Sequence, residues 1–183
     1  MRGAGPSFGI TTSITVQTFS VPPSATVFSY SWDLSAEEAS STLDAYQTFS
    51  LGQVPPEFGS ELVFGKGSTQ GRISITLQGV WFGEEDGFDG AINPLLNAIG
   101  TQSQNQQIIP GTYIDSVAFF GDEPDERLNT TNIPDQQDNF YVKSLLTPQG
   151  QPIMNASQVA WMNYLANEGF SSQIVGSPPR VRR

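Results

Sequence analysis

The chain has no cysteine and no histidine among its 183 residues. Without cysteine there is no disulfide and no thiolate nucleophile; without histidine the commonest general base and the commonest zinc ligand are gone. Positive charge is scarce as well, with eight Lys and Arg against 18 Asp and Glu and a net charge of −10. Such a surface repels polyphosphate and anionic lipid, which argues against nucleic acid and membrane as partners. No apolar run approaches the length of a bilayer span, and the first residues lack the charged-then-apolar pattern of a secretory signal peptide. What is left is an acidic, turn-rich chain with 18 glycines and 13 prolines, long enough for one domain with a proper core or for part of a larger one.

The glycines open the chain. Gly3, Gly5 and Gly9 precede Ile10 in MRGAGPSFGI, and glycine is costly unless a positive φ or a close backbone approach requires it. One reading is a hairpin or a loose terminus; the other is bare backbone N–H groups set against a phosphate-bearing ligand. The spacing differs from the dinucleotide fingerprint, and no strand precedes it.

Residues 10–20 (ITTSITVQTFS) read as a first strand ended by Pro22 and Pro23. In 27–32, Phe28, Tyr30 and Trp32 alternate with Val27, Ser29 and Ser31, as in a half-buried strand. Ser35 and Glu38 form a capping box, so a helix is expected over 36–49 on the stripe Ala36, Ala39, Leu43 and Tyr46. A loop, LGQVPPEFGS, leads to a short strand, ELVFG, and then to a longer one, RISITLQGVWFG. There Ile73, Ile75, Leu77, Gly79 and Trp81 share one face, and Ser74, Thr76, Gln78, Val80 and Phe82 share the other. A second helix carries Phe88, Ile92, Leu95, Leu96 and Ile99 and stops at Gly100, with Pro94 expected to kink it or mark its start. Residues 106–113 supply one more strand, with Pro110 suiting an edge.

That order of strands and helices is the ferredoxin-like split βαβ arrangement: an α+β fold with one antiparallel sheet and both helices on one face. The opposite row, Ser74, Thr76 and Gln78, then lines a cavity or interface, or simply faces water. Beyond residue 113 comes an acid-rich, turn-rich excursion whose carboxylates lack the spacing of a calcium loop, so no metal site is assigned. A strand at 139–146 and a helix over 155–167, with Val159, Met162 and Leu165 on one side, complete the pattern. Two sequons, at Asn129 and Asn155, are compatible with passage through a secretory pathway.

RGAGPSFGITTSITVQTF resembles the segment that closes the flavin domain of vanillyl-alcohol-oxidase-type flavoproteins, in their berberine-bridge-enzyme-like branch. SWDLSAEEASSTLDAYQTF, LQGVWFGEEDGFDGAINPLLNAIG, FYVKSLLTP and WMNYLANEGF are similar to the substrate domain of fungal gluco- and chito-oligosaccharide oxidases. The resemblance implies three parts: residues 1–22 as a remnant of the FAD-binding domain, 23–172 as an incomplete substrate domain, and 173–183 as a basic tail foreign to the family. It implies FAD as cofactor, with Gly3, Gly5, Phe8, Gly9 and Ile10 against it. It also implies an oligosaccharide substrate met by Thr76, Gln78, Tyr113 and Tyr141, and a secreted family. Oligomeric state is left open.

The same resemblance shows what this chain lacks: the rest of the FAD domain, the histidine and cysteine that link the flavin covalently, and the tyrosine base. No catalytic residue is therefore assigned. The expectation is an oxidase fragment truncated at both ends, inactive by itself; the alternative is a non-catalytic carbohydrate-binding or interaction module.

Overall fold

The computed structural model describes residues 12–121, 151–168 and 172–174. The central strand, β1 (Ala25–Ser35), buries Phe28, Tyr30, Trp32 and Leu34 on one side. Ser35 then caps α1 (Ala36–Leu51): its hydroxyl accepts from the Glu38 amide at 3.3 Å, and its own amide donates to the Glu38 carboxylate at 2.9 Å. Two of the orphan N–H groups of the helix start are satisfied in this way. The hairpin β2 (Phe58–Lys66) and β3 (Arg72–Trp81) follows, turning through Gly71 at φ +85°. A single 3₁₀ turn over Glu85–Gly87 leads into α2 (Phe88–Ile99), which Gly100 closes in the left-handed conformation, its amide donating to Leu96 O at 3.0 Å. Then come β4 (Asn105–Gly111), α3 (Tyr113–Phe120), α4 (Asn155–Glu168) and the short β5 (Ser172–Ile174).

The sheet order is β4-β1-β3-β2-β5, and every neighbouring pair is antiparallel. The first four strands and their two helices make the expected split βαβ arrangement. On one side of the sheet Ile73, Ile75 and Leu77 are wholly buried beneath Leu43 and Tyr46 of α1, Ile92 and Leu95 of α2, and Met162 and Leu165 of α4. Each large apolar side chain so buried contributes about 1.5–3 kcal/mol.

Four expectations are corrected. Residues 12–20, the described part of the expected first strand, are irregular and exposed. Their alternation meets no partner strand among the described residues, and an unpaired strand has no ladder to hold it. Second, the loop before β2 is shorter than expected: Phe58 already pairs with Trp81. Third, the last strand ends at Gly111, and a helix not read from the sequence, α3, follows under a second capping box formed by Thr112 and Asp115. Phe119 of this additional helix packs with Ala25, Val27 and Val80, while the two expected helices share the other face as expected. Fourth, Val159 of α4 is exposed, and the buried stripe is Gln158, Met162, Leu165 and Ala166 instead. Pro94 lies inside α2 rather than at its start. The expected strand at 139–146 and the acid-rich excursion lie outside the described residues.

Candidate functional site: the open face of the sheet

The β-strand period of two sends every second side chain of β1 to β4 away from the helix layer. On that face the register aligns the strands into rows. Gln107, Ser29, Gln78 and Glu61 form one row across β4, β1, β3 and β2. Asn105, Ser31, Thr76 and Val63 form the next. Asp33, Ser74 and Gly65 form a third. Most of these residues are half-buried, and Asn105 and Gln107 on the edge strand are exposed.

Contacts within the rows hold the groups in place. Nε2 of Gln78 donates to Oε1 of Glu61, and Nδ2 of Asn105 reaches the Ser31 hydroxyl at 3.5 Å. The third row ends in a charged cluster, where the Asp33 carboxylate accepts from the Ser68 hydroxyl and lies 3.9 Å from Nε of Arg72. At the opposite end α3 roofs the sheet, and the Tyr113 ring leans on Phe82 at 5.9 Å between centroids. The face thus grades from an apolar, covered end through two polar rows to a charged end.

Of the sequence-predicted substrate residues, Thr76 and Gln78 lie in adjacent rows of this face, two residues apart on β3. Tyr113 sits at the covered end, at the start of α3 rather than on a strand. Tyr141 and the glycine-turn set, Gly3, Gly5, Phe8, Gly9 and Ile10, lie outside the described residues. Sequence reasoning missed Glu61, Ser29, Ser31, Asn105 and Gln107 as members of the face. The signal for Glu61 was present: a β2–β3 hairpin paired in register sets it opposite Gln78.

The donor set of the two polar rows is hydroxyl, amide and one carboxylate, with no cation. It can exchange hydrogen bonds with a polyhydroxylated ligand, while Glu61 disfavours a phosphate. Among the described residues no cluster of His, Cys, Asp and Glu could hold a metal ion, and no helix is long and apolar enough to cross a membrane. On the helix side a cleft of about 360 Å³ is lined by Tyr30, Trp32, Asn97, Gln102 and Gln106. Its two rings are buried, and the Trp32 indole N–H is committed to Thr101 O at 2.9 Å. Burial, with the Asp89 charge adding to it, pushes the Tyr30 hydroxyl above its ordinary pKa. This cleft therefore offers amide edges rather than a free ring face.

No family model matches the chain. It is 25% identical over 172 residues to the chitooligosaccharide oxidase of Gibberella zeae, spanning 94% of this chain and 32% of that protein. It is 28% identical over 173 residues to the FAD-linked oxidoreductase dpmaF of Metarhizium anisopliae, spanning 93% and 31%. The chain is thus similar over nearly its whole length to a chitooligosaccharide oxidase and to an FAD-linked oxidoreductase. It spans about a third of the length of these curated relatives. Solved structures agree on the fold. A chitooligosaccharide oxidase superposes with a TM-score of 0.68 at 24% identity, over 84% of this chain and 30% of that one. The glucooligosaccharide oxidase of Acremonium strictum superposes at 0.66 and 16% identity, over 85% and 32%. That protein carries a 6-S-cysteinyl, 8α-N1-histidyl FAD; the present sequence contains neither residue type.

Proposed function

We propose that this chain supplies the sugar-facing sheet of an FAD-linked oligosaccharide oxidase, a secreted glycoprotein in the manner of its family. The observation that carries the reading is the pair of polar rows on the open face, uncharged but for Glu61, in a chain similar to a chitooligosaccharide oxidase. Gln78 and Thr76 on β3 and Ser29 and Ser31 on β1 offer donors and acceptors on adjacent strands about 4.8 Å apart, within reach of several hydroxyls of one sugar ring. Glu61, fixed by Gln78, accepts from sugar hydroxyls. Tyr113 and Tyr141 complete the proposed substrate set as aromatic walls.

A bound flavin would supply the hydride acceptor for the anomeric C–H, with the anomeric hydroxyl proton passing to a base and O₂ as the terminal oxidant, so that the sugar would leave as a lactone. The chain's own part is to bind the sugar, orient its ring and limit the water around it. Contact with FAD is assigned to Gly3, Gly5, Phe8, Gly9 and Ile10, which offer backbone amides. With no histidine or cysteine, attachment of the flavin through those residues is impossible for this sequence. We therefore expect the 183-residue chain by itself to oxidise no sugar.

The test is to purify the chain, add FAD, and measure flavin absorbance, peroxide production from cello- and chito-oligosaccharides, and retention on an oligosaccharide column. Retention without peroxide supports the reading. Peroxide overturns the inactivity, and loss of retention overturns the sugar-facing sheet. A chain that retains sugar yet never associates with flavin or a flavin-bearing partner favours a stand-alone carbohydrate-binding module.

A further inference from the structure

We propose that Asn155 is a site of N-linked glycosylation, and that its glycan stands on the helix layer, away from the sugar-facing side of the sheet. The inference rests on the reading of export given above. Asn155-Ala156-Ser157 satisfies the acceptor sequence, the position after asparagine being alanine and not proline. All three residues are exposed, as is Met154 before them. Asn155 is the first residue of α4, so the chain enters the sequon from the irregular segment 151–154 rather than from inside a helix. Its side-chain amide makes no hydrogen bond among the described residues, so a glycosyl substituent there displaces none of theirs.

The segment on either side is anchored. Two residues before the asparagine, the Ile153 amide donates to Oε1 of Gln47 at 2.6 Å. Three residues after it, Gln158 is buried and donates to Asp44 at 2.9 Å and to Ile153 O at 2.6 Å, while accepting from Ser40. Gln47, Asp44 and Ser40 all belong to α1. The sequon is therefore an exposed joint pinned to α1 on both sides. Because α1 and α4 share the layer on Ile73, Ile75 and Leu77, a glycan at this joint lies across the sheet from Thr76, Gln78 and Glu61. It leaves that face open while shielding the exposed apolar Met154 and Val159.

The experiment is to express the chain behind a cleavable secretion leader in a fungal host and map the secreted protein by peptide mass after enzymatic deglycosylation. The expected result is conversion of Asn155 to aspartate and loss of one glycan-sized band shift in both Asn155→Gln and Ser157→Ala. Ser157→Thr should keep the shift. A secreted chain whose Asn155 peptide is unmodified overturns the proposal. The leader fixes the route, so the export reading fails separately, when the chain's natural source does not release it although Asn155 of the leader-borne protein is modified. Deglycosylated and glycosylated protein should be retained equally on an oligosaccharide column; a several-fold gain on deglycosylation would overturn the placement of the glycan.

Discussion

Gln78 and Glu61 stand directly opposite each other on β3 and β2, and Nε2 of Gln78 donates to Oε1 of Glu61. The neighbouring Leu77 faces the other way and is fully buried. One residue's step along a strand thus separates a group that works on the surface from one that holds the core. Gln78→Ala should change stability by no more than about 1 kcal/mol, because the bond it removes is half-exposed. Leu77→Ala should cost about 2–5 kcal/mol by leaving a cavity. Urea unfolding of the two variants distinguishes them. A silent Leu77→Ala beside an unfolded Gln78→Ala would reverse the assignment of faces.

Gly79 is required for a different reason. A Cβ there would lie 2.2 Å from Gly59 O and 2.6 Å from the Phe28 ring, and the first of these is backbone that cannot swing aside. Gly79→Ala should therefore push β2 and β3 apart and cost about 1–3 kcal/mol, as overpacking of a tight core does. Gly65→Ala, on the same hairpin, meets nothing within 4 Å and serves as the control. Equal thermal midpoints for the two variants would contradict the close approach.

Most of the layer architecture was legible because each element carried its own period. The alternation of Phe28, Tyr30 and Trp32, the box of Ser35 and Glu38, and the stop at Gly100 are local signals, and the structure uses each of them. The misses came where the outcome depended on a neighbour. The alternating residues 12–20 read as a strand, yet a strand is decided by its partner, which local sequence does not contain. α3 was hidden because Thr112 and Asp115 cap a helix of only eight residues, too short for a periodic stripe to declare itself. The site was half legible: the polar row of β3 shows in its alternation, but Glu61 and Gln107 join it only through cross-strand register.

Tyr46 ties α1 to β2 through its hydroxyl, which donates to Ser60 O at 2.9 Å. Burial raises its pKa above the ordinary phenol value. Tyr46→Phe should cost about 0.5–1.5 kcal/mol, the net worth of one such bond. In an absorbance titration of the folded protein it should take one tyrosine's amplitude out of the late-ionising component, which Tyr30 shares. If the variant loses amplitude only from the early part of the curve and keeps the whole of the late part, the Tyr46 hydroxyl is not buried as described.

The helix caps make the fold sensitive to acid. Glu38 is held below the usual carboxylate range by hydrogen bonds from the Ser35 amide and then from the Ser35 hydroxyl, and Asp115 by the equivalent bonds from Thr112. A carboxylate whose pKa is lower folded than unfolded contributes stability that is fully present above the unfolded value, near pH 4. That contribution disappears as the pH falls through the folded value. Both groups lie at the surface, so each effect is modest and screened by salt. Ser35→Ala removes the cap itself and should cost about 0.5–2 kcal/mol at neutral pH. Glu38→Gln removes only the charge, so its deficit against wild type should be largest at neutral pH and close on acidification below about pH 4. Thermal midpoints of the three proteins across that range decide the matter. A Glu38→Gln deficit that stays constant with pH would show that the carboxylate's charge plays no part in the cap.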